Sequence, residues 1–169
     1  MARVKDRAMA EKTPKTDDQD IPRILAPPIY IFGVALLAGL ALDTLWPVAL
    51  LPALVQYLVG GILVVAAIAL FTLTQREFDR HSTPFSCYQT AQELVTTGPL
   101  SYSRNPAYLA LAMLYLGSGF LLDNGWILLL AIPAIAVVHY GVIAPEEKYL
   151  EFKFGEDYRA YKSRTRSWI

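Results

Sequence analysis

Four long apolar runs dominate this chain, at residues 26–46, 51–73, 107–122 and 126–143, and every lysine and arginine lies outside them. A helix needs about 20 apolar residues to cross the hydrocarbon core of a bilayer, within a range of roughly 17–25. The first two runs meet that length. The third sits at its low edge, and the fourth carries Pro133 and His139 in an otherwise apolar stretch. With no water to satisfy the backbone inside a bilayer, such runs must close their hydrogen bonds within themselves, as helices. The expected fold class is therefore all-α: an integral membrane helical bundle with four transmembrane helices and a C-terminal cytoplasmic amphipathic helix.

The placement of charge orients that bundle. The chain has equal numbers of basic and acidic residues, 15 of each, so its net charge says little about partners. Its basic residues are nevertheless confined to three places. Arg3, Lys5, Arg7, Lys12, Lys15 and Arg23 precede the first run; Arg76, Arg80 and Arg104 lie between the second and third; Lys148, Lys153, Arg159, Lys162, Arg164 and Arg166 follow the fourth. The loops around Pro47 and Asp123-Asn124-Gly125 have none. The positive-inside rule places both termini and the central link in the cytoplasm, which an even number of spans also requires.

Residues 1–22 are charged and aperiodic, and are expected to form a disordered cytoplasmic N-terminus. They lack the apolar core of a cleaved signal. Residues 23–169 are expected to form one membrane domain. Cys87 is the sole cysteine, which excludes an internal disulfide, and its cytoplasmic placement favours a free thiol. Pro27 and Pro28 suit a first helical turn. Asp43 is expected to reach the far interface, and Pro133 to kink the fourth span. The link 74–100 reads as a long polar loop, and loops of that length are usually functional or disordered. Asp123-Asn124-Gly125 is short and rich in turn formers, with Asn and Gly tolerating left-handed backbone. It forces the third and fourth spans into a hairpin and makes their cytoplasmic ends neighbours. The tail 145–168 reads as an amphipathic helix or a broken pair. Leu150, Phe154, Tyr158, Tyr161 and Trp168 recur mostly every three or four residues, and Gly155 offers a break.

The chemistry-bearing residues cluster at those neighbouring ends. Before the third span stands TTGPLSYSRNPAY, at 96–108, and after the fourth PEEKYLEFKFGEDYRAY, at 145–161. Glu146 and Glu147 can serve as first-turn acids after Pro145, complementing a helix dipole, or as a binding site for a cationic group. Arg104-Asn105-Pro106 can be an interfacial anchor or a ligand loop; Gly98 permits a tight approach and Tyr108 offers a ring and a hydroxyl. His139 can be a packed residue or a base. No spacing of His, Cys and acids suits a metal, and neither a Walker loop nor G-x-G-x-x-G is present. Ser101 and Ser103 carry no nucleophile signature. Lipid headgroups, rather than nucleic acid, match the spread of basic charge.

In order, Leu94-Val95-Thr96-Thr97-Gly98-Pro99, Arg104-Asn105-Pro106-Ala107-Tyr108, Glu146-Glu147-Lys148-Tyr149-Leu150 and Phe154-Gly155-Glu156-Asp157-Tyr158, ending at Tyr161, resemble the isoprenylcysteine carboxyl methyltransferase-like family. That family comprises integral membrane methyltransferases and is related to phospholipid N-methyltransferases. The resemblance implies a methyltransferase that uses S-adenosylmethionine, held at the cytoplasmic end by Leu94, Val95, Gly98, Arg104, Asn105, Pro106, Ala107, Tyr108, Glu146 and Glu147. It implies a lipophilic acceptor (carboxylate, thiol or amine) entering from the bilayer, with Arg104 pairing with the cofactor carboxylate or bracing the two glutamates. An amine acceptor must lose a proton, to His139 or a glutamate.

Three departures bear on the acceptor. The prenylcysteine enzymes carry an arginine just before the paired glutamates, whereas residues 139–145 hold none. Leu100 replaces an aromatic residue, and R-N-P replaces R-H-P. The motifs therefore speak for the methyl donor and leave the acceptor and the catalytic residue unnamed. The alternatives are a nicotinamide-dependent membrane reductase of the sterol reductase type, disfavoured by Asn105 and Ala107, and a non-catalytic membrane partner protein.

Overall fold

A computed structural model describes residues 24–49, 51–82 and 93–169. The expected disordered N-terminus and Cys87 lie outside them. Helices α1 (Pro28–Leu45), α2 (Ala53–Arg80), α3 (Pro106–Leu121), α4 (Gly125–Val138), α5 (Ala144–Phe154) and α6 (Glu156–Arg164) follow one another, with a 3-10 turn at Gly98–Ser101 and a π-helical turn at His139–Ile143. No strand forms among the described residues; Ser103 and Arg166 make one isolated parallel bridge.

Three helical runs are long and apolar enough to cross a membrane: Pro28–Leu45, Ala53–Arg80 and the continuous Gly125–Phe154. The fourth apolar helix, α3, has 16 residues, short of that length. Ile29, Val34 and Leu37 on α1 and Leu54, Ile62 and Val65 on α2 are exposed, as lipid-facing positions are in a protein whose solvent is a bilayer. The described residues thus form an all-helical fold with three helices built to cross a membrane.

Close packing is set by glycine. A Cβ on Gly60 of α2 would stand 3.0 Å from the Gly117 carbonyl of α3, and one on Gly117 would stand 3.1 Å from the Gly60 carbonyl. A Cβ on Gly39 of α1 would meet the Ile127 backbone of α4 at 3.1 Å. Small residues let backbones approach where lipid supplies no hydrophobic drive. Between them, Phe32, Ala112, Tyr115, Ile127, Ala131 and Val138 form the core.

The far end of the bundle is tied across elements. Asn124 caps α4, its Oδ1 accepting from the Ile127 N–H at 2.9 Å. Asp123, not Asn124 or Gly125, takes the left-handed backbone, with φ of 48°. Its carboxylate accepts from the Leu51 N–H at 3.2 Å, and Asp43 accepts from Val48 at 3.2 Å. These acids hold loops together.

Two sequence expectations change, and one alternative is decided. First, α2 runs on to Arg80, so the link begins two helical turns later than its polarity predicts. Second, of the two readings of the tail, the broken pair is the one that forms, with the break at Gly155, which has φ of 55°, and the last helix ending at Arg164 rather than at 168. Third, Pro145 starts no separate helix. The backbone passes from α4 through the π turn into α5 without leaving helical angles. Pro145 has no N–H, so the carbonyl four residues earlier, on Gly141, loses its helical donor. The Leu25 N–H occupies it at 2.8 Å. Glu146 and Glu147 thus have no free helix N-terminus to complement, which removes the dipole reading of that pair.

Candidate functional site

The α3–α4 hairpin brings the two polar segments together. Between the ends of α1, α2 and α3 and the start of α5 lies a cavity of about 300 Å³. Arg104, Asn105, Pro106, Ala107 and Tyr108 form one wall, Glu146 another, and Phe71, Thr74, Phe78 and Leu100 most of the rest. Most of this lining is apolar. Among the described residues, Glu146 is the one carboxylate on it, and the Tyr108 hydroxyl donates to its Oε2 at 2.8 Å.

The two glutamates have different tasks. Successive helical residues are turned by about 100°. Glu146 consequently faces the cavity while Glu147 points to Arg104. The Arg104 Nε and Nη2 donate to Glu147 Oε1 at 3.1 and 2.8 Å. Ser167 Oγ donates to the same oxygen at 3.1 Å, and Lys162 Nζ stands 3.4 Å from Oε2. Arg104 Nη1 donates to the carbonyls of Thr165 and Lys162. Of the two sequence readings of Arg104, the bracing of a glutamate is the one the geometry displays, and it braces Glu147 alone.

The remaining predicted residues lie elsewhere. Val95 is buried. Leu94 lines a separate open groove with Thr96, Phe154, Asp157 and Arg164. Gly98 has φ of 58°, and its α-carbon packs over Glu77, where a Cβ would stand 3.0 Å from the carboxylate. The structure thus gathers Arg104, Asn105, Pro106, Ala107, Tyr108 and Glu146 on one cavity, sets Glu147 behind it and leaves Leu94, Val95 and Gly98 off its wall. His139 is also off that wall, its Nδ1 accepting from Trp168 Nε1 at 3.3 Å. That geometry gives no support to a base role for it.

Sequence reasoning missed Glu77. It is buried on α2, where Thr97 Oγ1 donates to its Oε1 at 2.5 Å and Arg80 Nη1 to its Oε2 at 3.2 Å. It anchors the Gly98–Ser101 turn, whose Leu100 both lines the cavity and accepts from the Tyr161 hydroxyl at 2.6 Å. The available signal was the spacing of Thr74 and Glu77, three apart and so on one helical face. Burial pushes the Tyr161 phenol up to about 12. It raises Tyr158 as well, with the Glu147 charge acting in the same direction.

A second, apolar cavity of about 210 Å³ adjoins the first along the α2–α3 seam, lined by Ala67, Ile68, Thr72, Ala110 and Leu114. Phe71 and Leu111 belong to both cavities.

The chain is similar to an uncharacterized protein of Haemophilus influenzae, with 42% identity over 62 residues, which cover 37% of this chain and 98% of that protein. No solved structure matches it. The family profile described as phospholipid methyltransferase matches residues 55–157, from α2 through the hairpin to the start of α6. That stretch covers over half of the chain and both walls of the cavity, and the protein accordingly belongs to the phospholipid methyltransferase family.

Proposed function

We propose that the protein transfers a methyl group from S-adenosylmethionine to a lipophilic acceptor, at the cytoplasmic face of a four-span bundle with both termini inside. Family membership gives a membrane methyltransferase. The observation that carries the finer reading is the pairing of one carboxylate, Glu146, with a largely apolar and partly aromatic cavity at the charged end of the bundle.

The donor set fits that cofactor. Its ammonium and sulfonium are cationic, and a carboxylate in partly apolar surroundings attracts both more strongly than one in water. Glu146 would hold the ammonium, with Tyr108 fixing the rotamer of the carboxylate through its hydroxyl. Phe71 and Phe78 contribute aromatic surface to the lining. Asn105 and the Arg104 backbone would close the outer wall. When bound, the cofactor supplies an electrophilic methyl group. The chain's own contribution is alignment: Pro106 starts α3 rigidly, Glu146 orients, and the apolar lining keeps water from competing.

The adjoining apolar cavity on the α2–α3 seam suits the chain of an acceptor reached from the bilayer, with its reactive head at the Phe71–Leu111 boundary. An amine head must give up a proton before attack, whereas a carboxylate or thiolate head needs no base.

The test is a labelled-methyl transfer assay on purified protein in lipid nanodiscs. Extracted lipids and membrane proteins are the acceptors, and mass spectrometry identifies what becomes labelled. Calorimetry with S-adenosylmethionine and its demethylated product accompanies it. Binding of neither compound would overturn the proposal.

A further inference from the structure

Beyond the end of α6 the chain does not trail away. Thr165 is extended, and the residues after it run beside the segment that leads into α3. The Arg104 N–H donates to the Arg166 carbonyl at 2.9 Å. Asn105 Nδ2 donates to the Ser167 carbonyl at 2.9 Å and to its Oγ at 3.1 Å. Ser103 Oγ donates to the same carbonyl at 3.4 Å. The Ser167 hydroxyl donates in turn to Glu147 Oε1 at 3.1 Å, and the next residue, Trp168, donates to His139 in the π turn and packs on the core.

We infer that segment 165–168 is a strap that positions the site, with Ser167 as the positioning residue. Its partners are not scattered. Arg104 and Asn105 line the cavity, and Glu147 stands beside Glu146 on α5. The strap therefore bridges the two polar segments whose meeting creates the cavity, and bonds to both. Ser167 is the pivot because one hydroxyl accepts from Asn105 and donates to Glu147 at the same time. Two side chains, one just ahead of α3 and one on α5, are thereby held to a single atom.

A chain of such bonds has a specific consequence. Asn105 carries two amide donors that need fixed acceptors when buried, and it is 8% exposed. Without Ser167 Oγ it keeps the backbone carbonyl, so the fold persists while the amide gains freedom. Glu147 keeps Arg104 and Lys162 but loses its third donor. The loss falls on wall geometry before it falls on folding.

The test uses the full chain in detergent with Ser167→Ala, Ser167→Thr and Trp168→Phe. Three quantities are read: affinity for S-adenosylhomocysteine by calorimetry, the thermal midpoint without ligand, and amide hydrogen exchange over residues 104–108. Ser167→Ala should weaken binding on the order of tenfold, the worth of a hydrogen bond to charged and amide partners. Its unliganded midpoint should stay near that of the parent protein, and exchange over 104–108 should rise. Ser167→Thr, which keeps the hydroxyl, should restore most of the affinity. Trp168→Phe should raise exchange in the same window. Unchanged exchange and affinity in Ser167→Ala would overturn the inference, as would a fallen midpoint with affinity kept. The binding arm rests on the cofactor reading above. If the parent protein binds no S-adenosyl compound, that reading fails, and the exchange arm, which needs no ligand, decides the strap by itself.

Discussion

Arg104 and Glu147, 43 positions apart in the chain, share one carboxylate oxygen between two guanidinium nitrogens, with the side chains 9% and 14% exposed. Replacing Arg104 by Ala leaves a nearly buried carboxylate short of its main partner. We expect a loss on the order of 2–3 kcal/mol, somewhat below that of a fully buried pair because Lys162 still faces Glu147. Arg104→Lys should recover only part, since an ammonium lacks the planar fork. Thermal unfolding in detergent measures both. A variant as stable as the parent would show the pair to be decorative.

The paired glutamates should separate in a two-way experiment. Glu147→Gln weakens the contacts to Arg104, Lys162 and Ser167 and should lower the thermal midpoint. Glu146→Gln keeps the Tyr108 contact through its amide oxygen and should leave the midpoint close to that of the parent. On the proposed function it should abolish S-adenosylmethionine binding in calorimetry. Equal effects of the two substitutions on both readouts would contradict this division.

Gly98 combines a left-handed backbone with contact on Glu77. Gly98→Ala should be less stable by about 1–2 kcal/mol, from the strain of a Cβ at positive φ and the close carboxylate. Adding Glu77→Ala removes the contact but not the strain, so the double variant should show an interaction energy in a mutant cycle. Strict additivity would mean that the two residues do not press on each other.

Alkaline pH should unfold the protein through its tail. The Tyr161 phenol is raised by burial to about 12 in the folded state, against an ordinary value of 10.0. Below pH 10 both states are protonated and the contribution is complete. Between 10 and 12 the unfolded chain releases its proton first, so stability falls as pH rises. Tyr161→Phe should make that fall shallower, with Tyr158 supplying the remainder, at the expense of its bond to Leu100. Stability followed by fluorescence or thermal shift from pH 8 to 11 provides the check, and a flat parent profile would refute it.

The sequence made the helical class plain, because apolar runs of that length have few other solutions, and Asp123-Asn124-Gly125 made the hairpin plain. The neighbourhood of Arg104, Tyr108 and Glu146 followed from the hairpin. What stayed hidden has physical reasons. Pro145 reads as a helix start, and only the donation from Leu25 to Gly141 shows how a continuous helix tolerates it. Glu146 and Glu147 look alike until a helical phase sends one to the cavity and one to Arg104. Glu77 sits in the charge run Arg76-Glu77-Phe78-Asp79-Arg80, which resembles a solvated end. The strap at 165–168 has no periodicity, since its order comes from partners 20 to 64 residues away.

The shortness of α3 has a consequence for the bilayer itself. Sixteen residues span about 24 Å, against a hydrocarbon thickness of about 30 Å. In the proposed four-span arrangement, such a mismatch draws the adjacent leaflet inward. The cavity wall formed by residues 105–108 then lies below the headgroup plane of the surrounding lipid. Aqueous and oily reactants would meet in a dimple, with the water surface brought down to the acceptor and no lipid lifted out to meet it.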